Sequence, residues 1–376
     1  MFFSNVTGQE SIIRQLITDA QRGTVPHALL FYGPEGTGKL LTALAYARYL
    51  LCGRHTEEDS CGTCPSCVKM NKLIHPDLHF VFPVVNRKRA DNPTISDDEI
   101  VRWREFLLEH DYFGYEEWLD ALGAENRQAA ICTAESDSIS DKLKLTSSQG
   151  GYKIMIIWLP EKMHPNCANK LLKLLEEPPS QTVFILVSDQ PDNILGTIVS
   201  RTRKVEFRPL PAETIASRLE GPGYMLDHSH AAKIAHVSSG SWLKALQAMR
   251  IDQHHQEYLD IFKQMMRLAY ARKLKELKTL SEDIAAKGRE WDKDYLEYCQ
   301  NMVRENFVYN LHREELVYLS DDEAEFSARF SPFVNEKNIE GITFELAECQ
   351  THIERNVNAK IVMMDFMLKL IILLKQ

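Results

Sequence analysis

The sequence contains no apolar run able to span a bilayer. Its greasiest stretch, Ile361 to Leu374, carries Asp365 and Lys369, whereas a membrane helix needs about 20 consecutive apolar residues; a buried helix is expected there instead. No basic stretch precedes an apolar one in Met1-Phe2-Phe3-Ser4-Asn5, so a secretory leader is not expected, and the protein is read as cytoplasmic with no membrane association. Positive charge is also short. With 44 Lys and Arg against 53 Asp and Glu the net charge is -9, which excludes a general phosphate-binding surface and confines nucleic-acid contact to a local patch or a shared complex. Internal repeats and low-complexity tracts are lacking as well.

What is present is the balance of a folded protein, 44% apolar and 26% charged. A chain of 376 residues is too long for one core, so two or three domains are expected. Eight cysteines in a reducing compartment are not expected to form disulfides. Cys132, Cys167, Cys299 and Cys349 are scattered and read as core. Cys52-x8-Cys61-x2-Cys64-x2-Cys67 instead has ligand spacing, with turns supplied by Gly62 and Pro65. Four thiolates suit a closed, tetrahedral, structural Zn²⁺ site with no open position.

Periodicity predicts a helix over Gln9 to Gln21, then a short apolar strand, His27 to Tyr32, ending at Gly33. Gly33-Pro34-Glu35-Gly36-Thr37-Gly38-Lys39 follows, and Leu40 to Leu51 is a stretch free of Gly and Pro. Strand, glycine loop and helix form the context of a phosphate-binding P-loop, in which backbone N–H groups cradle phosphates and the lysine neutralises them. Gly33, Gly36, Gly38 and Lys39 are the candidate nucleotide-binding residues, with ATP or ADP as candidate ligand. The Ser or Thr hydroxyl that would hold Mg²⁺ is missing, because Leu40 stands there. Two further strands, Lys153 to Trp158 and Thr182 to Ser188, flank a helix over Cys167 to Glu177 that stops at Pro178-Pro179. Alternating strands and helices predict an α/β fold with a largely parallel sheet covered on both faces. At the end of the Lys153 strand, where metal-binding and water-orienting acids belong, stand Trp158 and Leu159. Glu161 follows Pro160 and is read as a surface acid.

The P-loop, the cysteine module directly after its helix, and Asn169-Lys-Leu-Leu-Lys-Leu-Leu-Glu-Glu-Pro-Pro179 together resemble the clamp-loader AAA+ family of bacterial DNA polymerase III. Further similarities are Phe3-Ser-Asn-Val-Thr-Gly-Gln9, His27, His75-Pro76-Asp77 and Ser200-Arg201, so the resemblance covers most of residues 1 to 205. It implies an AAA+ P-loop domain over 1–209 with a zinc module at 52–67, a small helical lid domain over 210–252, and a helical collar over 253–376 that joins subunits. Asn356 to Asp365 also looks like the end of such chains. Residues 81 to about 130 look like an insertion. Its Trp103, Tyr112, Phe113, Tyr115 and Trp118 are expected to pack a small local core, Ser96-x2-Glu99 to cap a helix, and Arg87-Lys88-Arg89 to form a solvated loop.

Motor subunits of the family keep the metal-binding hydroxyl and the paired acids. The subunit that has lost them is the one to which Leu40, Trp158 and Leu159 align this chain. In the lid, Leu243 takes the place of a nucleotide-sensing arginine, with Lys244 beside it. Arg201 on residues alone reads either as a cation near a helix C-terminus or as a rim guanidinium; the resemblance implies an arginine finger entering the neighbouring subunit's ATP site. The implied function is a non-hydrolysing component of ATP-dependent loading of the sliding clamp onto primed DNA. Its implied partners are the motor subunits and delta in a hetero-pentamer, polymerase activity belonging to the wider complex. The alternatives are an ATP-hydrolysing motor subunit of the same complex, and a stand-alone zinc-dependent nucleic-acid-binding protein, against which the net charge counts.

Overall fold

Five strands form one parallel sheet in the order β5-β1-β4-β3-β2: β1 (Ala28–Tyr32), β2 (Leu78–Val81), β3 (Lys153–Trp158), β4 (Thr182–Ser188) and β5 (Arg203–Glu206). In the three central strands β1, β3 and β4 almost every residue is buried, as a sheet covered on both faces requires. Alternation sorts them between two cores. Leu29, Phe31, Ile154, Ile156, Trp158, Val183, Ile185 and Val187 point to one, while Ala28, Leu30, Met155, Ile157, Phe184 and Leu186 point to the other. The structure is a computed structural model that describes residues 1–87, 93–124, 127–144, 147, 151–310, 319–355 and 357–375. It divides into two units, Met1–Ala245 and Leu246–Gln376.

In the first unit α1 (Glu10–Gln21) precedes β1, α2 (Lys39–Leu51) leaves the glycine loop, and α3 (Pro65–Met70) closes the cysteine module. Then come α4 (Ile100–Glu109), α5 (Tyr115–Leu122), α6 (Glu135–Lys144), α7 (Pro165–Glu176) and the single turn α8 (Gly196–Val199). Two helices, α9 (Ala212–Glu220) and α10 (His228–Val237), and the start of α11 (Trp242–Gln253) complete it. This helical segment is stitched to the sheet end of the unit, since Leu210 N–H donates to Gly240 O over 2.8 Å and Trp242 N–H to Gly36 O over 2.9 Å.

Several expectations change here. Strand β2 was not foreseen, and the insertion begins where it ends. The aromatics of the insertion do not make a separate local core. Trp103 and Trp118 are fully buried within the main core, where Trp103 stacks on Phe82 at 4.3 Å and lies 5.1 Å from Trp158. Ser96 caps no helix through Glu99: its hydroxyl donates to Phe82 O and accepts from Phe82 N–H, and Glu99 pairs with Arg102. Of the basic run, Lys88 and Arg89 lie outside the described residues, as does Asn356 of the closing segment.

The second unit is helical, with α12 (His255–Tyr270), α13 (Leu274–Ala285), α14 (Arg289–Tyr309), α15 (Asp321–Phe330), α16 (Ile339–Glu354) and α17 (Ala359–Leu373). Its core includes Tyr258, Phe262, Leu296, Leu346 and Met367. Helix α17 buries Val362, Met363, Phe366, Met367 and Leu370. It is not wholly buried as expected, because Ile361 and Ile372 are 67% and 66% exposed.

Candidate functional site

The glycine loop has the backbone that phosphate cradles use. Gly33, Gly36 and Gly38 all have positive φ, at 143°, 77° and 87°, a region that L side chains avoid. Space forbids a side chain as well, since a Cβ on Gly33 would sit 2.0 Å from Phe207 O and one on Gly36 2.1 Å from Ser241 Oγ.

Side chains of the chain itself crowd the loop. The space bounded by Glu35, Gly36, Lys39, Tyr112, Trp158 and Asp189 is about 30 Å³, whereas pockets for drug-sized ligands run to roughly 300–1,000 Å³. Tyr112 of the insertion accepts the Thr7 N–H through its hydroxyl at 2.9 Å; that hydroxyl lies 3.3 Å from the point a Gly38 Cβ would occupy. Glu35 of the loop accepts the backbone N–H of Tyr115, and burial raises its pKa. Lys39 is 4% exposed, ion-paired with Asp189 at 2.8 Å, and donates to Pro34 O. Leu243 at the start of α11 packs on Gly36, and Lys244 is exposed. Thr42, two residues beyond Leu40, spends its hydroxyl on Gly38 O at 2.8 Å.

Two apolar side chains stand where the strand-end acids of a hydrolytic site belong. Trp158 and Leu159 are buried. Glu161 is not the surface acid expected: Leu159 adopts a left-handed conformation, φ 54°, which turns the chain so that Glu161 Oε1 accepts the N–H groups of Asp189 at 3.0 Å and Gln190 at 3.1 Å. Its Oε2 is buried without a partner among the described residues, and burial raises its pKa. It closes the end of β4.

Cys52, Cys61, Cys64 and Cys67 converge, their four Sγ atoms lying within 4.8 Å of one another. The Cys52–Cys64 and Cys61–Cys67 separations are 3.9 and 4.0 Å. A tetrahedron with Zn–S bonds of about 2.3 Å has an edge of about 3.8 Å, so the thiols fit this metal with little adjustment. Backbone N–H groups already point at sulfur, from Cys61 to Cys52, Cys64 to Cys61 and Cys67 to Cys64. Those of Thr63 and Cys64 hold the Cys61 thiol down at about 6, while burial pushes Cys52 up to about 12. His75 braces the module, its Nε2 3.3 Å from Ser66 Oγ. Behind it lies Arg48 of α2, 2% exposed. Sequence reasoning passed over Arg48, though a lone charge late in an otherwise apolar helix was the available signal. Tyr112 and Asp189 were missed as loop-filling residues because only the fold brings them to Lys39.

Arg201 follows α8 and stands apart from both clusters. It is 35% exposed, donates to Thr197 O and pairs with Glu176 at 2.5 Å. No described helix is long and apolar enough to cross a membrane.

Residues 8–211 match the model of a family described as DNA polymerase III, delta subunit. The DNA polymerase III subunit delta' of Bacillus subtilis is 29% identical over 211 residues, covering 56% of this chain and 51% of that one. The subunit delta' of Pseudomonas aeruginosa is 31% identical over 203 residues, covering 54% and 48%. The gamma/tau subunit of Mycobacterium tuberculosis is 27% identical over 243 residues, covering 64% and 35%. The chain thus spans about half the length of the delta' relatives that it matches. A solved gamma-subunit-related protein of Thermotoga maritima aligns over 96% of this chain and 97% of its own, at 14% identity and a TM-score of 0.40; the fold assignment rests on the strand order instead. With more than half of its length matched by the family model, the chain belongs to the DNA polymerase III delta-subunit family.

Proposed function

We propose that this chain is a non-hydrolysing clamp-loader subunit that binds no nucleotide of its own and acts on the ATP site of a neighbouring motor subunit. The observation that carries the reading is the P-loop lysine already held by the chain's own Asp189, with about 30 Å³ left beside it. Leu40 supplies no metal ligand, and the acids are replaced by Trp158 and Leu159. With no hydroxyl to hold Mg²⁺ and no acid at the end of β3, this site lacks two of the groups that hydrolysis uses, and on this reading turnover occurs elsewhere in the assembly. The motor-subunit alternative requires all of those groups at once.

On this reading Arg201 is the finger. Its guanidinium is partly exposed and held by Glu176, itself about half exposed, so the pair can exchange for a phosphate at modest cost, surface ion pairs being worth about 0–1 kcal/mol. An arginine supplied in trans stabilises charge on the transferred phosphoryl group, worth roughly 10³–10⁵ in rate. The cysteine module holds one structural zinc, and the second unit is the collar through which motor and delta subunits assemble. Sliding clamp and primed DNA are engaged through that complex.

The test is reconstitution with motor subunits disabled at every ATP site except the one facing this chain. Arg201→Ala is expected to abolish most turnover there while leaving assembly and zinc content intact. Turnover indifferent to Arg201→Ala removes the finger. ATP hydrolysis by the isolated chain that Lys39→Ala abolishes would establish the motor reading instead.

A further inference from the structure

Among the described residues the side chain of Arg48 has no acidic side chain paired with it. It lies in α2, eleven of whose thirteen residues are buried, and is itself 2% exposed. A guanidinium does not lose its proton in a protein, and a cation removed from water needs an anion or a full set of acceptors. Among the described residues no carboxylate pairs with it. Its Nε and Nη2 have no hydrogen-bond acceptor, and Nη1 reaches only Met1 O, at 3.4 Å.

The surroundings of the group indicate what is missing. The Phe2 ring covers one face of the guanidinium at 3.9 Å and also packs against Gly62, where an added Cβ would come within 3.0 Å of it. Nη2 lies 3.7 Å from that same point, in the loop between Cys61 and Cys64. Four thiolates around a divalent ion carry a net charge of -2, since four negative charges meet two positive ones. Such a centre is a buried dianion, and Arg48 is the buried cation at its back.

We propose that Arg48 is the charge partner of a tetrathiolate metal centre at Cys52, Cys61, Cys64 and Cys67, so that retention of the metal depends on a positive charge at position 48. The proposal rests on the zinc reading of the cysteine module. It makes Arg48 a positioning residue whose value changes sign with the metal. With zinc bound, the guanidinium offsets the excess negative charge and its free N–H groups face sulfur. With the metal stripped and the thiols protonated, it is an uncompensated buried cation.

The experiment compares wild type with Arg48→Met, Arg48→Gln and Arg48→Lys as full-length reduced protein. Zinc content is measured first, then the rate of zinc transfer to a chromogenic chelator, then the denaturation midpoint of zinc-loaded and metal-stripped forms. Met and Gln are expected to speed zinc release by about 10–100-fold, the usual effect of losing an outer partner of a metal ligand. Lys, which keeps the charge, is expected to stay near wild type. Arg48→Met should lower the midpoint of the zinc-loaded form and raise that of the stripped form. A Met variant that shifts both forms in the same direction, or a Lys variant that releases zinc as fast as Met, overturns the proposal and leaves Arg48 a packing residue. Should Met fail to fold, Gln against Lys carries the same comparison. Wild type with no zinc overturns the zinc reading and this proposal together; one zinc per chain with release indifferent to Arg48 overturns this proposal alone.

Discussion

The ammonium of Lys39 lies 2.8 Å from the carboxylate of Asp189, joining the phosphate loop to the end of β4. Removing one member of a fully buried pair strands the other at about 3–5 kcal/mol; Asp189 is 22% exposed, so a loss of about 1–3 kcal/mol is expected for Lys39→Ala. Urea denaturation measures it. Equilibrium dialysis with ATP should show no saturable binding to wild type, and saturable binding would refute the closed loop.

Trp103 bridges the insertion to the sheet, stacked on Phe82 and in contact with Trp118 and Trp158. Trp103→Ala should cost about 3–5 kcal/mol through the cavity it leaves. An insertion folding as an independent appendage would instead let the variant keep the wild-type midpoint, read by circular dichroism.

Asp292, in α14 of the second unit, is 1% exposed with neither carboxylate oxygen hydrogen-bonded among the described residues, and burial pushes its pKa up to about 7. The native state therefore holds a proton that the unfolded state releases near pH 4, so stability falls as pH rises from about 4 to 7, by at most about 1.4 kcal/mol per pH unit. Asp292→Asn should flatten that slope and raise stability at pH 8. Denaturation midpoints at pH 5 and pH 8 that drop equally in the variant would contradict this.

Glu161 holds two backbone N–H groups at the end of β4. Glu161→Ala leaves both without their acceptor and should cost about 1–3 kcal/mol, while Glu161→Gln keeps the acceptor and should cost less. ATP turnover of the reconstituted complex should be the same with wild type and Glu161→Gln. A fall in turnover with Gln would make Glu161 a participant in hydrolysis.

The sequence by itself determined the elements whose physics is local. A run of apolar residues ending in glycines that need positive φ specifies strand, loop and helix at Ala28 to Leu51. Two successive x2 spacings place three sulfurs on one turn and one short helix, and Cys52 at the end of α2 supplies the fourth, so the metal cluster was legible too. The absence of a hydroxyl at position 40, where Leu40 stands, and of the strand-end acids needed only the residue names. What the tertiary structure decided lies between segments far apart in the chain. Tyr112, Asp189 and Lys39 meet only because the insertion and the end of β4 converge on the loop. Glu161 turned inward through a left-handed Leu159 that no propensity favours. The Ser96 hydroxyl was taken by Phe82, a contact fourteen residues away that outbid a local cap. Arg48 lies beside the loop between Cys61 and Cys64 only in the folded chain, and burial gives a charge its meaning only once the fold has removed it from water.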